Sequence, residues 1–418
     1  MIRTGKKAMA RLLIYGILFI CLAGHSTLSL AQVDTDFWFV VPELSHRGNT
    51  GGTPGTLRIA TLELPATVTI TMPANPFDTV TNPDGFQEIV LDIAANSAAA
   101  VDLTHLIDVA ALPNNNRLEN KPLTASGINN FGLHITSTNM INAYWEVNYD
   151  YGSDLWTLKG GNGLGTLFYT PFQTVYDNRN ITPRTYSAID IVATQDNTQV
   201  TITLPPGKAA SYGSMVTGIP PGGTHVVTLN RGQTFSVFPH NFSTLAADRL
   251  AGTMVESTAP VAVTVKDDAL NTGSKGQAVI GDQIVPVDII GDNYIVPDVK
   301  NPNHAYVLAT EDNTDIYVTD AAGVPIGPTP YITLNRGEQG LVTVPNGSKY
   351  ARITSRVNPA DPFKPFYVFN LSLANQTRGG CPCPGHRMYR EHPAGLYPGA
   401  GRRKYLLLLP DHRKGERG

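Results

Sequence analysis

Apolar and polar residues alternate with a period of two along most of this chain, and the alternation restarts at short intervals marked by Gly, Pro and Asn. Residues 200–204 (VTITL) and 261–265 (VAVTV) carry it most plainly, which predicts strands with one face inward and one toward solvent. The pattern falls into blocks. Each block opens on an aromatic three positions before a proline: residues 36–42 (DFWFVVP), 165–171 (GTLFYTP) and 291–297 (GDNYIVP). The aromatics Phe39, Phe168 and Tyr294 stand 129 and 126 residues apart, a period that indicates one β unit repeated along the chain.

Segments downstream of the opening phrases support the repetition. Residues 191–203 (IVATQDNTQVTIT) and 307–319 (VLATEDNTDIYVT) match almost position for position, and 228–232 and 333–337 both read TLNRG. The first block is more diverged: residues 57–71 (LRIATLELPATVTIT) lack the Asp-Asn-Thr turn, and no TLNRG follows. A segment with a Ser/Thr-rich centre closes each block, at 132–146, 252–265 and 351–370. The expected fold is all-β, three tandem β-sandwich-like repeats at 32–160, 161–286 and 287–377. At about 115–130 residues, such a unit can hold its own core. The Ala-rich stretch 93–111 is the one place where a short helix is expected.

Composition fits: 16% of residues are charged, and 39 Gly and 31 Pro supply turns between β-branched strands. The N-terminus reads as a secretory signal peptide over 1–31, with Arg3, Lys6, Lys7 and Arg11 before an apolar stretch at 12–23 and small residues at 29–31. Residues 32–377 contain no cysteine, so a secreted product must be held by packing rather than disulfides. That same stretch has 18 basic against 31 acidic residues, a surface that repels phosphate backbones and argues against nucleic acid as a partner.

From residue 378 the composition changes to nine basic against three acidic residues, with Cys381, Cys383, His386, His392 and His412 among Pro and Gly. The one-residue gap between the cysteines does not suit structural zinc. Residues 378–418 therefore read as an atypical basic tail, frame-shifted or disordered. A one-nucleotide shift across Met388-Tyr389 would restore a polar segment of the kind expected after the third repeat.

The opening residues 36–39 with Pro42-Glu43, the two Asp-Asn-Thr strands ending at Thr203 and Thr319, the TLNRG turns and residues 283–297 (QIVPVDIIGDNYIVP) together resemble the IgGFc-binding protein N-terminal domain. The resemblance covers roughly 34–376. It implies a secreted, non-enzymatic adhesion or recognition module of a bacterial surface protein, with a glycoprotein, glycan or protein as ligand and with attachment to the cell surface through further C-terminal modules. It supplies no residue set for Fc binding.

Catalytic signatures are missing from the sequence: there is no Gly-x-Ser-x-Gly elbow, His-Glu-x-x-His, Walker loop or dinucleotide fingerprint. An extracellular hydrolase acting on glycan or mucin remains the alternative, since converging carboxylates leave no local signature; a structural spacer is the second. No cofactor is expected beyond calcium, for which Asp267, Asp268, Asp312, Asn313 and Asp315 are the candidate oxygen donors. Asp and Asn at 312–313 also suit a hairpin turn with left-handed backbone, the stronger reading. The aromatic cluster Tyr144, Trp145, Tyr149, Tyr151 and Trp156 runs into a Gly-rich loop and is the candidate ligand-binding surface, with the packing of a domain junction as its competing role.

Overall fold

A computed structural model describes residues 33–45, 55–107, 116–149, 152–214, 217–273, 278–297, 303–345, 347–358, 360–372 and 406–407. The segment 1–31 expected to be a signal peptide and nearly all of the basic tail, with its cysteines and histidines, lie outside these. Among the described residues the protein is all-β, as the alternation predicts, and its helical segments are 3-10 turns of three or four residues. In the described part of the Ala-rich stretch, 93–107, the helical segment is a single 3-10 turn at Thr104–Leu106, and no α-helix forms. Residues 98–102 form a strand, because Ala98, Ala100 and Asp102 face outward while Ala99 and Val101 pack on the core, a period of two that no helix can satisfy.

The first block contains β1 (Asp34–Pro42), β2 (Thr56–Thr61), β3 (Ala66–Thr71), β4 (Ile89–Ile93), β5 (Ala98–Asp102), β6 (Glu119–Asn120), β7 (Ile128–Asn129), β8 (Gly132–Tyr149) and β9 (Gly152–Thr157). Its spine is β8, 18 residues long. The N-terminal half of β8 pairs with β1 and β3, and its C-terminal half with β2 and β9. One strand thus serves two sheets. Phe37, Val68, Ile70 and Ile135 on one meet Leu57, Ile59, Ala143, Trp145 and Val147 on the other in a single core, the packing of a sandwich whose corner is turned by a strand that changes sheet.

The second block repeats this arrangement with β10 (Leu164–Thr170), β11 (Ser187–Ala193), β12 (Thr198–Thr203), β13 (Ala210–Tyr212), β14 (Thr217–Ile219), β15 (Thr224–Leu229), β16 (Thr234–Pro239), β17 (Thr253–Leu270) and β18 (Ala278–Ile284). The spine is β17, again 18 residues: β10 and β12 lie on its first half, β11 and β18 on its second. In the third block the strands are β19 (Asn293–Pro297), β20 (Asn303–Ala309), β21 (Thr314–Thr319), β22 (Ile332–Leu334), β23 (Gln339–Thr343), β24 (Tyr350–Thr354), β25 (Phe366–Ser372) and β26 (Leu406–Leu407). Here the spine is broken in two: β24 pairs with β19 and β21, whereas β25 pairs with β20 and, through Phe369 and Asn370, with β26.

The Ser/Thr-rich centres are where the spine changes sheet. Ser137 Oγ donates to the Asn139 carbonyl at 2.6 Å, and Ser257 Oγ to the Ala259 carbonyl at 2.7 Å. Beside each, a threonine hydroxyl accepts a backbone N–H from the neighbouring strand, Thr138 from Thr67 and Thr258 from Gln199. Local side-chain bonds of this kind replace ladder bonds where the strand bends. In the third block Ser355 stands just after the break.

Strand pairing also shifts the alignment of the opening phrase. Phe168 lies opposite Val255 and Tyr294 opposite Ile353, but in the first block it is Phe37, not Phe39, that lies opposite the matching Ile135. The displacement is two residues. Since the side-chain period is two, Phe37 and Phe39 both face the core, so the sequence pattern survives the slip.

The shared Asp-Asn-Thr and TLNRG segments form one corner, built alike in the second and third blocks. Asp196 and Asp312 accept the backbone N–H of Arg231 and Arg336, while Asn230 and Asn335 accept the N–H of Asn197 and Asn313. Asn197 and Asn313 adopt left-handed φ of 56° and 52°, the conformation Asn tolerates best among non-glycine residues. Each corner seats on the block before it. Gly132 N–H donates to the Gly232 carbonyl at 3.0 Å, and the backbones of Gly252 and Gly337 meet so closely that a Cβ on Gly252 would lie 2.1 Å from the Gly337 oxygen. Further ties join the blocks: β7 adds to β16, and Gln339 exchanges two hydrogen bonds with the Phe172 backbone.

Gly252→Ala is expected to cost about 3 kcal/mol, combining left-handed strain with backbone overlap at the joint. Gly207→Ala, at φ 79° with nothing within 4 Å of the added carbon, should cost only about 1 kcal/mol. Denaturant unfolding of both variants checks the difference; equal losses would mean that the joint is not a tight contact.

Candidate functional site

Behind the second sheet of the second block lies a buried polar layer. Alternation along β11, β16 and β17 sends Ile189, Ile191, Phe235, Val237, Val263 and Val265 into that block's own core, so Asp190, Ser236, Thr264 and Lys266 emerge on the opposite face. Such a face normally meets water. Here the first block covers it. Trp38 and Val40 close one end over Val192 and Ala262, and the strip from Glu43 to Ser45 together with β6 covers the rest, leaving Asp190, Thr264 and Lys266 almost without solvent.

Hydrogen bonds across this layer are extensive but incomplete. Asn120 Nδ2 donates to Asp190 Oδ1 at 2.8 Å, and Asn120 Oδ1 accepts from Asn129 Nδ2 and Thr234 Oγ1. Leu44 N–H donates to Glu119, Ser45 N–H to Asp268 Oδ2, and the Tyr186 hydroxyl to Glu43. Lys266 Nζ rests 3.4 Å from the Tyr186 ring centre, a cation–π position. Neither Lys266 Nζ nor Asp190 Oδ2 has a hydrogen-bond partner. Burial pushes the Asp190 carboxyl up to about 7 against the pull of Lys266, raises Glu43 and lowers Lys266. A desolvated amine and a desolvated acid thus share one dry compartment, each favouring its neutral form.

The predicted sites fall elsewhere. Trp145 and Trp156 are each 1% exposed and belong to the first core, so these two rings are interior and not a stacking platform; packing is the role they fill. Trp156 Nε1–H donates to Asp154 Oδ2 at 2.6 Å, and the ring lies against Gly281 of β18, where the first and second blocks meet. Tyr144 is nearly buried on the outer face of β8. Tyr149 ends β8; its side chain and all of Tyr151 lie outside the described residues.

The calcium candidates separate into two groups that do not converge. Asp267 is buried and saturated by Arg249 Nε, Gln173 Nε2 and Asn178 Nδ2 at 2.6–2.8 Å, a charge-assisted network. Its neighbour Asp268 accepts from Ser45. In the other group, Asp312 and Asn313 close the corner described above, and Asp315 accepts from Thr333 Oγ1 at 2.6 Å. Among the described residues no three His, Cys, Asp or Glu side chains gather as a metal site.

A family model described as "IgGFc binding protein" matches residues 156–384, more than half of the chain. The chain belongs to the IgGFc-binding protein family. This is a family of binding modules. No curated protein matches the chain in sequence. Among solved structures, "Biofilm associated protein - BSP domain" is similar at 10% identity over 82% of this chain and 65% of its own length, with a TM-score of 0.11; so low a score supports no argument about fold. Among the described residues of this IgGFc-binding family member, no helix is long and apolar enough to cross a membrane.

Two features of this family member escape a reading of its sequence. The polar layer had a signal, Asp190 and Lys266 within largely apolar runs (SAIDIVA and VAVTVK). The second is the β3–β4 connection, residues 72–88. Asp78 Oδ1 accepts the backbone N–H of Val80 and Thr81, and Asn82 ties back to Asn75 and Pro76, so the loop is braced from within. Its tip presents Val80, 86% exposed, beside Phe77. In the third block Asp320 braces the loop carrying the exposed Val324 in a similar way.

Trp156→Ala is expected to cost about 4 kcal/mol, the loss typical of a buried indole, and to move the unfolding midpoint accordingly. A loss below about 1 kcal/mol would restore these tryptophans as a surface. Burial also raises the Asp154 carboxyl well above the usual carboxylate range. The folded chain therefore holds a proton that the unfolded chain releases, and stability falls as pH rises from about 4 through the folded-state pKa. Asp154→Asn should flatten that part of the stability profile measured by denaturant titration at successive pH values.

Proposed function

We propose that this chain is a secreted, non-enzymatic adhesion or recognition module that binds an extracellular glycoprotein, glycan or protein and acts at a bacterial cell surface. Membership of a binding-module family carries this reading. The N-terminal segment with a basic start and an apolar stretch is consistent with export, and an excess of acidic residues over 32–377 fits neither nucleic acid nor an anionic membrane as partner.

Recognition is assigned to loops at the rim of the first block, where a rigid β scaffold holds exposed apolar and aromatic groups. Tyr149 and Tyr151 remain the candidates from the aromatic cluster, since the core takes Trp145 and Trp156. The braced 72–88 loop with Phe77 and Val80 is the second candidate patch. Its internal hydrogen bonds reduce the ordering cost of binding.

A glycan, mucin and immunoglobulin Fc array probed with residues 32–377 tests the proposal. The expected outcome is a signal lost by at least tenfold in Tyr149→Ala, Tyr151→Ala or in Phe77→Ser, Val80→Ser, with unfolding midpoints unchanged. No signal from the parent protein on any probe would favour a structural spacer, and turnover of a glycan probe would favour the hydrolase.

A further inference from the structure

The two seats of one block on the next are built alike, and one side chain sets them apart. At the first seat Trp38 of β1 lies opposite His134 of β8, and the corner that meets them carries Arg231. At the second, Tyr169 of β10 lies opposite Met254 of β17, and the corner brings Arg336, whose charge acts on the tyrosine. The backbone contact is shared: Gly132 meets Gly232 at one seat, and Gly252 meets Gly337 at the other. An aromatic ring, a corner arginine and a glycine contact thus recur, with histidine at one seat where methionine stands at the other.

His134 is 9% exposed and is held on three sides. Its ring stacks on Trp38 with centroids 4.1 Å apart and planes inclined by 17°. Nε2 lies 3.3 Å from Asp36 Oδ2, and Nδ1 lies 3.4 Å from a guanidinium nitrogen of Arg231. Arginine can only donate, so Nδ1 is the acceptor and the ring proton sits on Nε2, donated to Asp36. Neutral imidazole therefore satisfies both partners at once. Imidazolium cannot, because both nitrogens then donate and the Nδ1 proton faces a second cation. From β3 the residue opposite His134 is Thr71, so Asp36 and Arg231 are the charged groups that act on the ring. Burial holds His134 below the ordinary histidine range, Asp36 opposes this through its hydrogen bond and charge, and Arg231 adds to it. At the second seat the Tyr169 hydroxyl donates to Met254 Sδ at 3.2 Å, and neither a phenol nor a thioether changes charge near neutral pH.

We propose that the first seat is an acid-sensitive joint: protonation of His134 releases Arg231 and loosens the 228–232 turn from the first block, while the second seat holds. An opened seat binds the proton more readily than a closed one. The contact is therefore at full strength above the ordinary histidine value of about 6.5 and weakens as pH falls from there through the lower value of the closed seat. Trp38, which shares the stack, also caps Val192 and Ala262 at the end of the polar layer, so loosening here begins to uncover that face. In acid surroundings the chain gains freedom between its first and second blocks and none between its second and third.

Amide exchange of the full chain at about pH 7.5 and about pH 5.5, expressed as protection relative to each segment's intrinsic rate, tests the joint. The Gly132 N–H, which donates to Gly232 across the first seat at 3.0 Å, should lose protection by at least about twofold at the lower pH, with a smaller change at Gly252 of the second seat. His134→Met, which gives the first seat the side chain of the second, should abolish the difference. Arg231→Gln should shrink it, because an amide can turn to accept from the protonated ring. An equal pH response at the two seats of the parent protein overturns the proposal, as does a response that survives in folded His134→Met. If that variant does not fold, the readings on the parent and on Arg231→Gln still decide.

Discussion

The first two blocks each depend on one strand that belongs to two sheets. A sheet pair joined only by loops can slide or splay, but a continuous backbone running from one sheet to the other fixes their separation and angle together. In β8 and β17 the change of sheet is made by a serine that caps its own chain two residues on and a threonine that takes over a neighbour's ladder bond. Everything else is placed by that spine: the opening aromatic on one side of its first half, the second strand of the block on its second half, and the core between. In the third block the spine is interrupted after Thr354, and the two sheets there are separate four-stranded ladders.

Joining such blocks end to end poses a second problem, because a face that would normally be solvated must be covered. Two solutions coexist in this chain. At the glycine joints backbone meets backbone, which needs no side-chain matching but tolerates no added carbon. Across the outer face of β11 and β17 the solution is polar, with amides and hydroxyls bridging most groups and ionisable ones left with raised or lowered pKa. A buried charge without a close partner is costly, and the cost falls when the group becomes neutral.

Much of this fold was legible in the sequence for physical reasons. Period-two alternation predicts strands wherever one face is inside, and the Asp-Asn-Thr and TLNRG segments stand out because each closes a turn against the other, so they recur together and are missing together from the first block. The slip of the opening phrase was hidden by the same period, since a shift of two residues keeps every side chain on its face. Ala98 to Asp102 misled because alanine favours helix by itself, whereas pairing with β2 decides its conformation. The aromatic cluster misled more seriously: Trp156 follows a polar hairpin, yet β9 returns along the spine and carries the indole inward. Local polarity marks the hairpin tip, not the strand that leaves it.

Burial of the polar layer could not be read in the same way, because it depends on a partner surface distant in sequence. What the sequence does contain is a lysine and an aspartate within largely apolar runs. In an isolated sandwich such residues would point to water and need no explanation. Stacking of the first block over β11 and β17 removes the water and turns two ordinary surface residues into a desolvated pair. With no cysteine in residues 32–377, the strands of these blocks cannot be locked by oxidation, so resistance to unfolding rests on the spines, the glycine joints and the packed cores.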